Sequence, residues 1–277
     1  MPRAGDGGLS GLVPARPSKR FRRFFAGYAG RLLRRRFHAA RILAEDVSVL
    51  EALDQGDEPA IILLTHASWW DPLVGLVLWR RFGSSRELMM PMDAEQLARF
   101  DFFRRLGMFG IDPDDPRSLE AMRSYILDRF ENDEDRCILG LTPQGRFTDP
   151  REPVRIRPGA AAIAAACPRR PKVIAVAVEY PFWQDQRPEL LVAACAIEVP
   201  ETTTPTTADW HRAMTAGMTD AVGRLAAASI ARDASAFEPL DRRLDPRTRI
   251  NPVMDLWMRL RGRAGEIDAR RSKEASA

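Results

Sequence analysis

A histidine and an aspartate, His66 and Asp71, stand five residues apart, and these two residue types can cooperate in proton transfer. A carboxylate beside an imidazole holds one ring nitrogen as a donor, which leaves the other free to take a proton from an attacking hydroxyl. Asp71 also precedes Pro72, so it fits a simpler interpretation as the N-cap of a helix. The spacing by itself therefore leaves two interpretations open, an oriented general base and a structural helix cap.

The residues around this pair predict the elements that position it. The apolar run 60–64 predicts a buried strand, and residues 72–81 predict a helix. His66 would then lie at the carboxyl end of a strand, where open α/β sheets bind their ligands. A second apolar strand, predicted over 137–141, leads into the turn Pro143–Arg146. Both candidate elements should therefore emerge at the same kind of sheet edge.

Three further blocks and a connecting element follow the histidine block in a fixed order. They are Gly107-Met108-Phe109-Gly110-Ile111-Asp112, Leu141-Thr142-Pro143-Gln144-Gly145-Arg146, Val173-Ile174-Ala175-Val176-Ala177-Val178 and the connecting Arg157-Pro158-Gly159-Ala160. This series resembles the glycerolipid acyltransferase superfamily, which includes the lysophosphatidate acyltransferases. The resemblance covers about residues 45–200.

The resemblance implies the transfer of a fatty acyl group from a thioester, acyl-CoA or acyl carrier protein, to a lipid hydroxyl. His66 would be the general base and Asp71 would orient it, with no enzyme nucleophile and no cofactor. The candidates for substrate binding are Gln144, Gly145, Arg146, Arg104, Arg105 and Arg157. Ser68, beside the base, is expected to make a local hydrogen bond.

Several departures from the family pattern concern the acceptor. Thr65 replaces an asparagine, Gln144 replaces a glutamate, and Arg146 follows Gly145 directly, without the usual threonine between them. Pro113 stands where the second block usually ends in arginine, a strong phosphate ligand. The acceptor is therefore either a lysophospholipid or a phosphate-free glycolipid or isoprenoid glycoside. The same departures motivate an alternative, a non-catalytic lipid-binding or scaffold protein on a degenerate core.

Composition limits the class of protein. The chain has 277 residues, 45% hydrophobic and 29% charged, with a net charge of +4. Its apolar runs are too short for a transmembrane helix, and its N-terminus lacks the pattern of a signal peptide. Three separated cysteines suit a reducing cytoplasm, and three histidines without a cluster indicate no metal site. We therefore expect a peripheral protein on the cytoplasmic face of a membrane.

The positive charge is concentrated near the N-terminus. Ten basic residues and no acidic ones occur between Arg16 and Arg41. The apolar residues at helical spacing in this segment are Phe21, Phe24, Phe25, Tyr28 and Leu32. A basic amphipathic helix with aromatic residues is typical of an anionic membrane interface. Two alternatives stay open: packing on the domain, and nucleic-acid binding, for which no recognised motif is present and which we do not expect.

Alternating strands and helices predict an α/β fold with a central, mostly parallel or mixed sheet flanked by helices. A short strand is also expected over 46–50. The predicted organisation is a disordered N-terminus (1–15), a basic membrane-association segment (16–44), an acyltransferase core (45–200), C-terminal helices (201–262) and a flexible tail (263–277).

Overall fold

The computed structural model describes residues 11–132, 136–199 and 204–240, together with residues 257, 260 and 261. Its strands are β1 (Leu12–Val13), β2 (Ala40–Leu43), β3 (Ala60–Leu64), β4 (Glu87–Asp93), β5 (Met108–Ile111), β6 (Cys137–Leu141), β7 (Lys172–Glu179), β8 (Leu190–Ile197) and β9 (Phe237–Pro239). Its α-helices are α1 (Lys19–Arg36), α2 (Val47–Glu51), α3 (Asp71–Phe82), α4 (Ala94–Arg99), α5 (Pro116–Glu131), α6 (Gly159–Ala166) and α7 (Thr207–Ala231).

Within these ranges the strands form one nine-stranded mixed sheet in the order β1-β5-β4-β6-β3-β7-β8-β2-β9. The neighbours β4, β6, β3 and β7 run parallel, so their carboxyl ends share one edge. Strands β8, β1 and β9 each pair antiparallel with a neighbour. The central strands are continuous apolar runs because both of their faces are covered. The α/β fold predicted from the sequence is confirmed.

Two helical layers cover the sheet. Helices α1 and α3 pack on one face, where Leu33 and Val77 are buried. Helices α6 and α7 pack on the other face, where Ile163 and Met214 are buried. The parallel edge that carries the candidate site therefore lies between two layers that hold it rigidly. None of the helices within the described ranges is long and apolar enough to span a bilayer.

Helix α1 packs on the domain through a face of small residues and one buried arginine. The Arg22 guanidinium pairs with Glu87, donates to the Leu106 carbonyl at 2.8 Å and lies over the Trp79 ring. The opposite face is open to solvent, and Phe24 on it is 65% exposed. Packing on the core and exposure of an aromatic surface thus occur together, and binding of that surface to a membrane stays a prediction.

Several elements differ from the sequence-based expectation. The strand expected over 46–50 is wrong: a 3₁₀ turn leads into α2, because Val47 and Leu50 reach the core at helical spacing. Residues 11–15 were expected to be disordered, yet β1 pairs with β5. Strand β2 lies within the segment assigned to membrane association, and β9 joins the sheet from the region assigned to helices. Very short strands carry little periodic signal of their own.

Some predictions cannot be compared with the structure. The N-terminal ten residues and the tail 263–277 lie outside the described residues. The same holds for most of the helix expected over 252–262, of which only residues 257, 260 and 261 are described.

Candidate active site

The histidine lies just beyond β3, where Thr65 ties that strand to β7. The Thr65 amide donates to the Val176 carbonyl at 3.0 Å, and its hydroxyl accepts from the Val178 amide at 2.9 Å. The Thr65 side chain therefore has a structural role at this edge. The next residue, His66, places Nδ1 3.0 Å from Oδ2 of Asp71, and its side chain is 20% exposed. The structure thus brings the two candidate catalytic residues together.

Asp71 is completely buried and is surrounded by donors. Its Oδ2 accepts from the Ser68 amide at 2.8 Å as well as facing His66, and its Oδ1 accepts from the Tyr180 hydroxyl at 2.5 Å. Helix α3 begins at Asp71 and its N-cap is Trp70, so the interpretation of Asp71 as the N-cap is wrong. The carboxylate turns back toward the preceding loop, where it holds the imidazole.

Ser68 serves this loop through local hydrogen bonds, as expected. Its amide donates to Asp71, and its hydroxyl accepts from the Trp70 amide at 3.3 Å. The hydroxyl is therefore occupied in shaping the turn that leads from the histidine to α3.

Tyr180 is a member of the site that sequence reasoning missed. It follows β7 directly, and its ring packs against Phe37 at a centroid distance of 5.5 Å. Burial, and then the charge of Asp71, raise the pKa of the Tyr180 hydroxyl far above its usual value. The available signal was a hydroxyl residue at the carboxyl end of a buried strand that shares the edge of β3.

Gln144 clamps the main chain of His66. Its Oε1 accepts from the His66 amide at 2.9 Å, and its Nε2 donates to the Thr148 hydroxyl at 2.7 Å. The Thr148 amide donates in turn to the His66 carbonyl at 2.8 Å. Both described partners of the Gln144 side chain are thus within the protein. The substrate-binding role predicted for this residue stays a prediction.

Gly145 and Arg146 lie in an exposed turn next to Gln144, and the Arg157 side chain lies against Gly145. Gly145 has a φ of +69°, and a Cβ there would lie 2.6 Å from Nε of Arg157, so glycine suits both the backbone and the contact. Arg146 is 65% exposed and pairs with Glu152 at 3.1 Å. The backbone amide of Arg157 donates to the Pro143 carbonyl at 2.8 Å, so both predicted arginines lie at this turn with their side chains exposed.

Arg104 and Arg105 lie in the 3₁₀ segment Asp101–Leu106. Nε of Arg104 donates to the Pro14 carbonyl at 2.9 Å, and the Arg105 guanidinium lies 4.2 Å from the Phe21 ring centroid. The described contacts of these two side chains are with the N-terminal segment, α1 and their own turn. The structure therefore does not bring them into the group around His66.

Aromatic side chains form the rim of the site. The Phe147 ring stacks on the His66 imidazole at a centroid distance of 4.0 Å. Trp69 lies 5.7 Å from Phe147 and is 75% exposed. These two exposed aromatic residues create an apolar surface beside the partly exposed imidazole of His66.

The arrangement is suited to proton transfer through Nε2 of His66. The other nitrogen faces Asp71, and no hydrogen bond to Nε2 occurs within the described residues. A small cavity behind Gln144 includes Thr148 and Glu179, and burial raises the pKa of the Glu179 carboxyl. Among the described residues, His, Cys, Asp and Glu form no group of three placed to hold a metal ion.

Comparisons with known proteins add the family context. The model of the Acyltransferase family matches residues 41–179, a span that contains both His66 and Asp71 and stops one residue before Tyr180. The chain is similar to the crystal structure of the 1-acyl-sn-glycerophosphate (LPA) acyltransferase from Thermotoga maritima, with a TM-score of 0.44 and 11% identity. That alignment covers 77% of this chain and 82% of the other. No curated protein sequence matches significantly.

Proposed function

Because the chain belongs to the acyltransferase family, we propose that it transfers a fatty acyl group from a thioester to the hydroxyl of a lipid. Family membership confirms the resemblance drawn from the four blocks. The acyl donor is acyl-CoA or acyl carrier protein. The observation that carries the proposal is the contact between Nδ1 of His66 and the buried carboxylate of Asp71, with Nε2 directed elsewhere.

The reaction needs one base and no covalent enzyme intermediate. Nε2 of His66 takes the proton of the acceptor hydroxyl as its oxygen attacks the thioester carbonyl. Asp71 stabilises the imidazolium that forms. The tetrahedral intermediate then collapses, the C–S bond breaks, and the departing thiolate takes the proton from the imidazolium. The products are a lipid ester and a free thiol, and His66 returns to its neutral form.

The rim supports an apolar substrate. Trp69 and Phe147 expose large rings immediately beside the imidazole, where burial of acyl-chain surface stabilises binding. The exposed aromatic residues thus match a substrate that carries a long hydrocarbon chain.

The experiment that tests the reaction uses the purified full-length chain, a labelled acyl thioester and mixed lipids, with products identified by mass spectrometry. We expect a labelled lipid ester and an equal amount of released thiol, both formed at least about 10²-fold more slowly by His66→Ala. Release of thiol without any labelled lipid would mean that water is the acceptor, and it would refute the proposed transfer.

We further propose that the preferred acceptor is a phosphate-free hydroxyl lipid, such as a glycolipid or an isoprenoid glycoside. The Gln144 amide is engaged with His66 and Thr148, and Arg146 is paired with Glu152. A phosphate at Arg146 would compete with the Glu152 carboxylate for the guanidinium, which biases the site against phosphate by about the strength of one surface ion pair. The test is a competition between lysophosphatidate and a phosphate-free lipid at equal concentration with one labelled thioester. Preferential acylation of lysophosphatidate would contradict this proposal and leave acyl transfer intact.

We also propose that the protein acts as a peripheral protein on the cytoplasmic face of an anionic membrane, with the solvent-exposed side of α1 as the contact. Phe24 and Tyr28 are exposed on this helix, together with Arg20 and Arg23. Aromatic insertion should supply the salt-resistant part of binding, and the arginines the salt-sensitive part. Arg22 contributes to neither part, because it is buried against Glu87.

Vesicle co-sedimentation across a salt series tests the membrane proposal. The paired change Arg20→Gln and Arg23→Gln should remove much of the salt-sensitive binding, and Phe24→Ser with Tyr28→Ser much of the rest. Arg123→Gln with Arg212→Gln, exposed positions on α5 and α7, is the control for lost charge. Equal binding by all variants would exclude α1 as the contact. Stronger binding to DNA or RNA than to vesicles would favour a nucleic-acid role.

A further inference from the structure

We propose that Tyr180 is a positioning residue of the general base, because its hydroxyl fixes the carboxylate of Asp71, which in turn orients His66. The inference rests on the proposed function and extends it to a residue outside the span matched by the family. The hydroxyl lies 2.5 Å from Oδ1 of Asp71, and the carboxylate and imidazole lie 3.0 Å apart on the opposite side.

The hydrogen-bond partners of Asp71 leave a specific role for this hydroxyl. Oδ2 already has the Ser68 amide and Nδ1 of His66, whereas Tyr180 is the described donor to Oδ1. Asp71 is completely buried, so solvent cannot replace that donor in the packed site. Donors on both oxygens fix the plane of the carboxylate. The tyrosine therefore determines the direction in which Oδ2 of Asp71 points, and this is the oxygen that faces the imidazole.

The tyrosine is suited to act as a permanent donor. Burial and the charge of Asp71 raise the pKa of its hydroxyl, so it is a hydrogen-bond donor at neutral pH. A donor on Oδ1 disperses the negative charge of the carboxylate and weakens its attraction for a protonated imidazole. The expected result is an imidazole that stays correctly oriented and still releases its proton to the departing thiolate.

The tyrosine ring is held independently of its hydroxyl. It packs against Phe37, the residue that follows α1, and Phe37 also meets the Trp70 ring edge-on at 5.3 Å. Removing only the oxygen should therefore leave the ring in place. Tyr180→Phe is the variant that separates positioning from packing, and Tyr125→Phe, a half-buried tyrosine on α5 that packs on Phe109, is its matched control.

The first measurement does not depend on substrate. We expect the midpoint of the His66 imidazole titration, followed by NMR in the full-length chain and assigned with His66→Ala, to move to higher pH in Tyr180→Phe. A shift on the order of half a pH unit is expected for a lost hydrogen bond to the carboxylate. Tyr125→Phe should leave the midpoint unchanged. The other carboxyl groups nearby, Asp149, Glu152 and Glu179, line the cavity behind Gln144 and are the same in every variant.

The second measurement is the pH profile of acyl transfer. Tyr180→Phe should lower kcat about tenfold, leave the acceptor KM within about twofold, and move the acidic limb of the profile upward. In an Asp71→Asn background the same change should cost less than about twofold, because the carboxylate on which Tyr180 acts is gone. Thermal unfolding of both tyrosine variants checks that the fold is retained.

The outcomes separate the two proposals. If the His66 titration midpoint shifts in Tyr180→Phe but the wild-type protein acylates no lipid, the proposed function is refuted and the positioning role is supported. Active enzyme whose midpoint and pH profile are unaltered in Tyr180→Phe would overturn the inference. So would an equal loss of activity in the wild-type and Asp71→Asn backgrounds, since that would indicate a general structural role.

Discussion

The loop Thr65–Asp71 and the turn 142–146 meet at one edge of the sheet but are built in opposite ways. In the first, Asp71 is buried and each carboxylate oxygen has a donor from the protein. In the second, the Gln144 side chain bonds inward to the His66 amide, whereas Arg146 extends into solvent and pairs with a surface carboxylate. The His66–Asp71 pair is therefore held in place by the protein alone, whereas Arg146 has a surface ion pair that can exchange partners at little cost.

The largest expected effect lies in the buried loop. His66→Ala should lower kcat/KM for acyl transfer by at least about 10²-fold, because the acceptor hydroxyl loses its base. The variant should unfold at nearly the wild-type temperature, since the imidazole is partly exposed and bonds chiefly to Asp71. His211→Ala on α7 controls for loss of a histidine elsewhere. Near-normal turnover in folded His66→Ala would refute the mechanism.

Removal of the orienting charge should have the next largest effect. Asp71→Asn keeps the shape of the side chain but presents an amide to His66, Ser68 and Tyr180, all of which donate to the carboxylate. At least about a tenfold loss of kcat is expected. Initial rates with saturating thioester and acceptor measure it. An unchanged kcat would mean that His66 needs no carboxylate partner.

Gln144 connects the two regions, because it lies in the turn 142–146 and accepts from the His66 amide of the loop. Gln144→Leu leaves the His66 amide without its acceptor, and we expect about a tenfold lower kcat and a loss of about 1–3 kcal/mol in unfolding free energy. Gln144→Glu should stay within about threefold, because a carboxylate accepts from the same amide and from the Thr148 hydroxyl. Steady-state kinetics and denaturant unfolding measure both. A raised acceptor KM with normal kcat in Gln144→Leu would instead support substrate binding by this side chain.

The smallest effect is expected at the exposed turn. Arg146→Gln should leave kcat unchanged and alter the KM for either acceptor by no more than about threefold, because surface ion pairs contribute about 0–1 kcal/mol. Glu152→Gln is the partner variant, and by freeing the guanidinium it should improve the use of lysophosphatidate relative to a phosphate-free lipid. A large loss of kcat in Arg146→Gln would show that the turn is part of the catalytic machinery.

Much of the candidate site could be predicted from the local sequence pattern. The apolar run before His66 and the Pro72 that follows Asp71 predict the strand, loop and helix that the structure contains. Residues five positions apart are constrained to be close in space, but their spacing left open whether Asp71 contacts His66 or caps the helix. The structure decided for the contact with His66. The parallel arrangement also brought the turn after β6 beside the end of β3, as the shared edge predicts.

Other features depended on contacts between distant parts of the chain. Tyr180 reaches Asp71 across 109 positions, and Arg22 pairs with Glu87 across 65. A tyrosine after a strand and an arginine in a basic helix have many alternative environments, and nothing in their neighbours distinguishes a buried partner from solvent. The contact of Gln144 with His66 and that of Arg104 with the N-terminal segment also join residues far apart in sequence, so local pattern does not predict them.

The sequence by itself determined the α/β layering, the proximity of His66 to Asp71 and the family, because each rests on periodicity or on short motifs. Only the tertiary structure decided which polar side chains face the imidazole and which face solvent. That choice depends on how neighbouring strands and the helices above them are placed, since burial and hydrogen-bond satisfaction are properties of the packed chain.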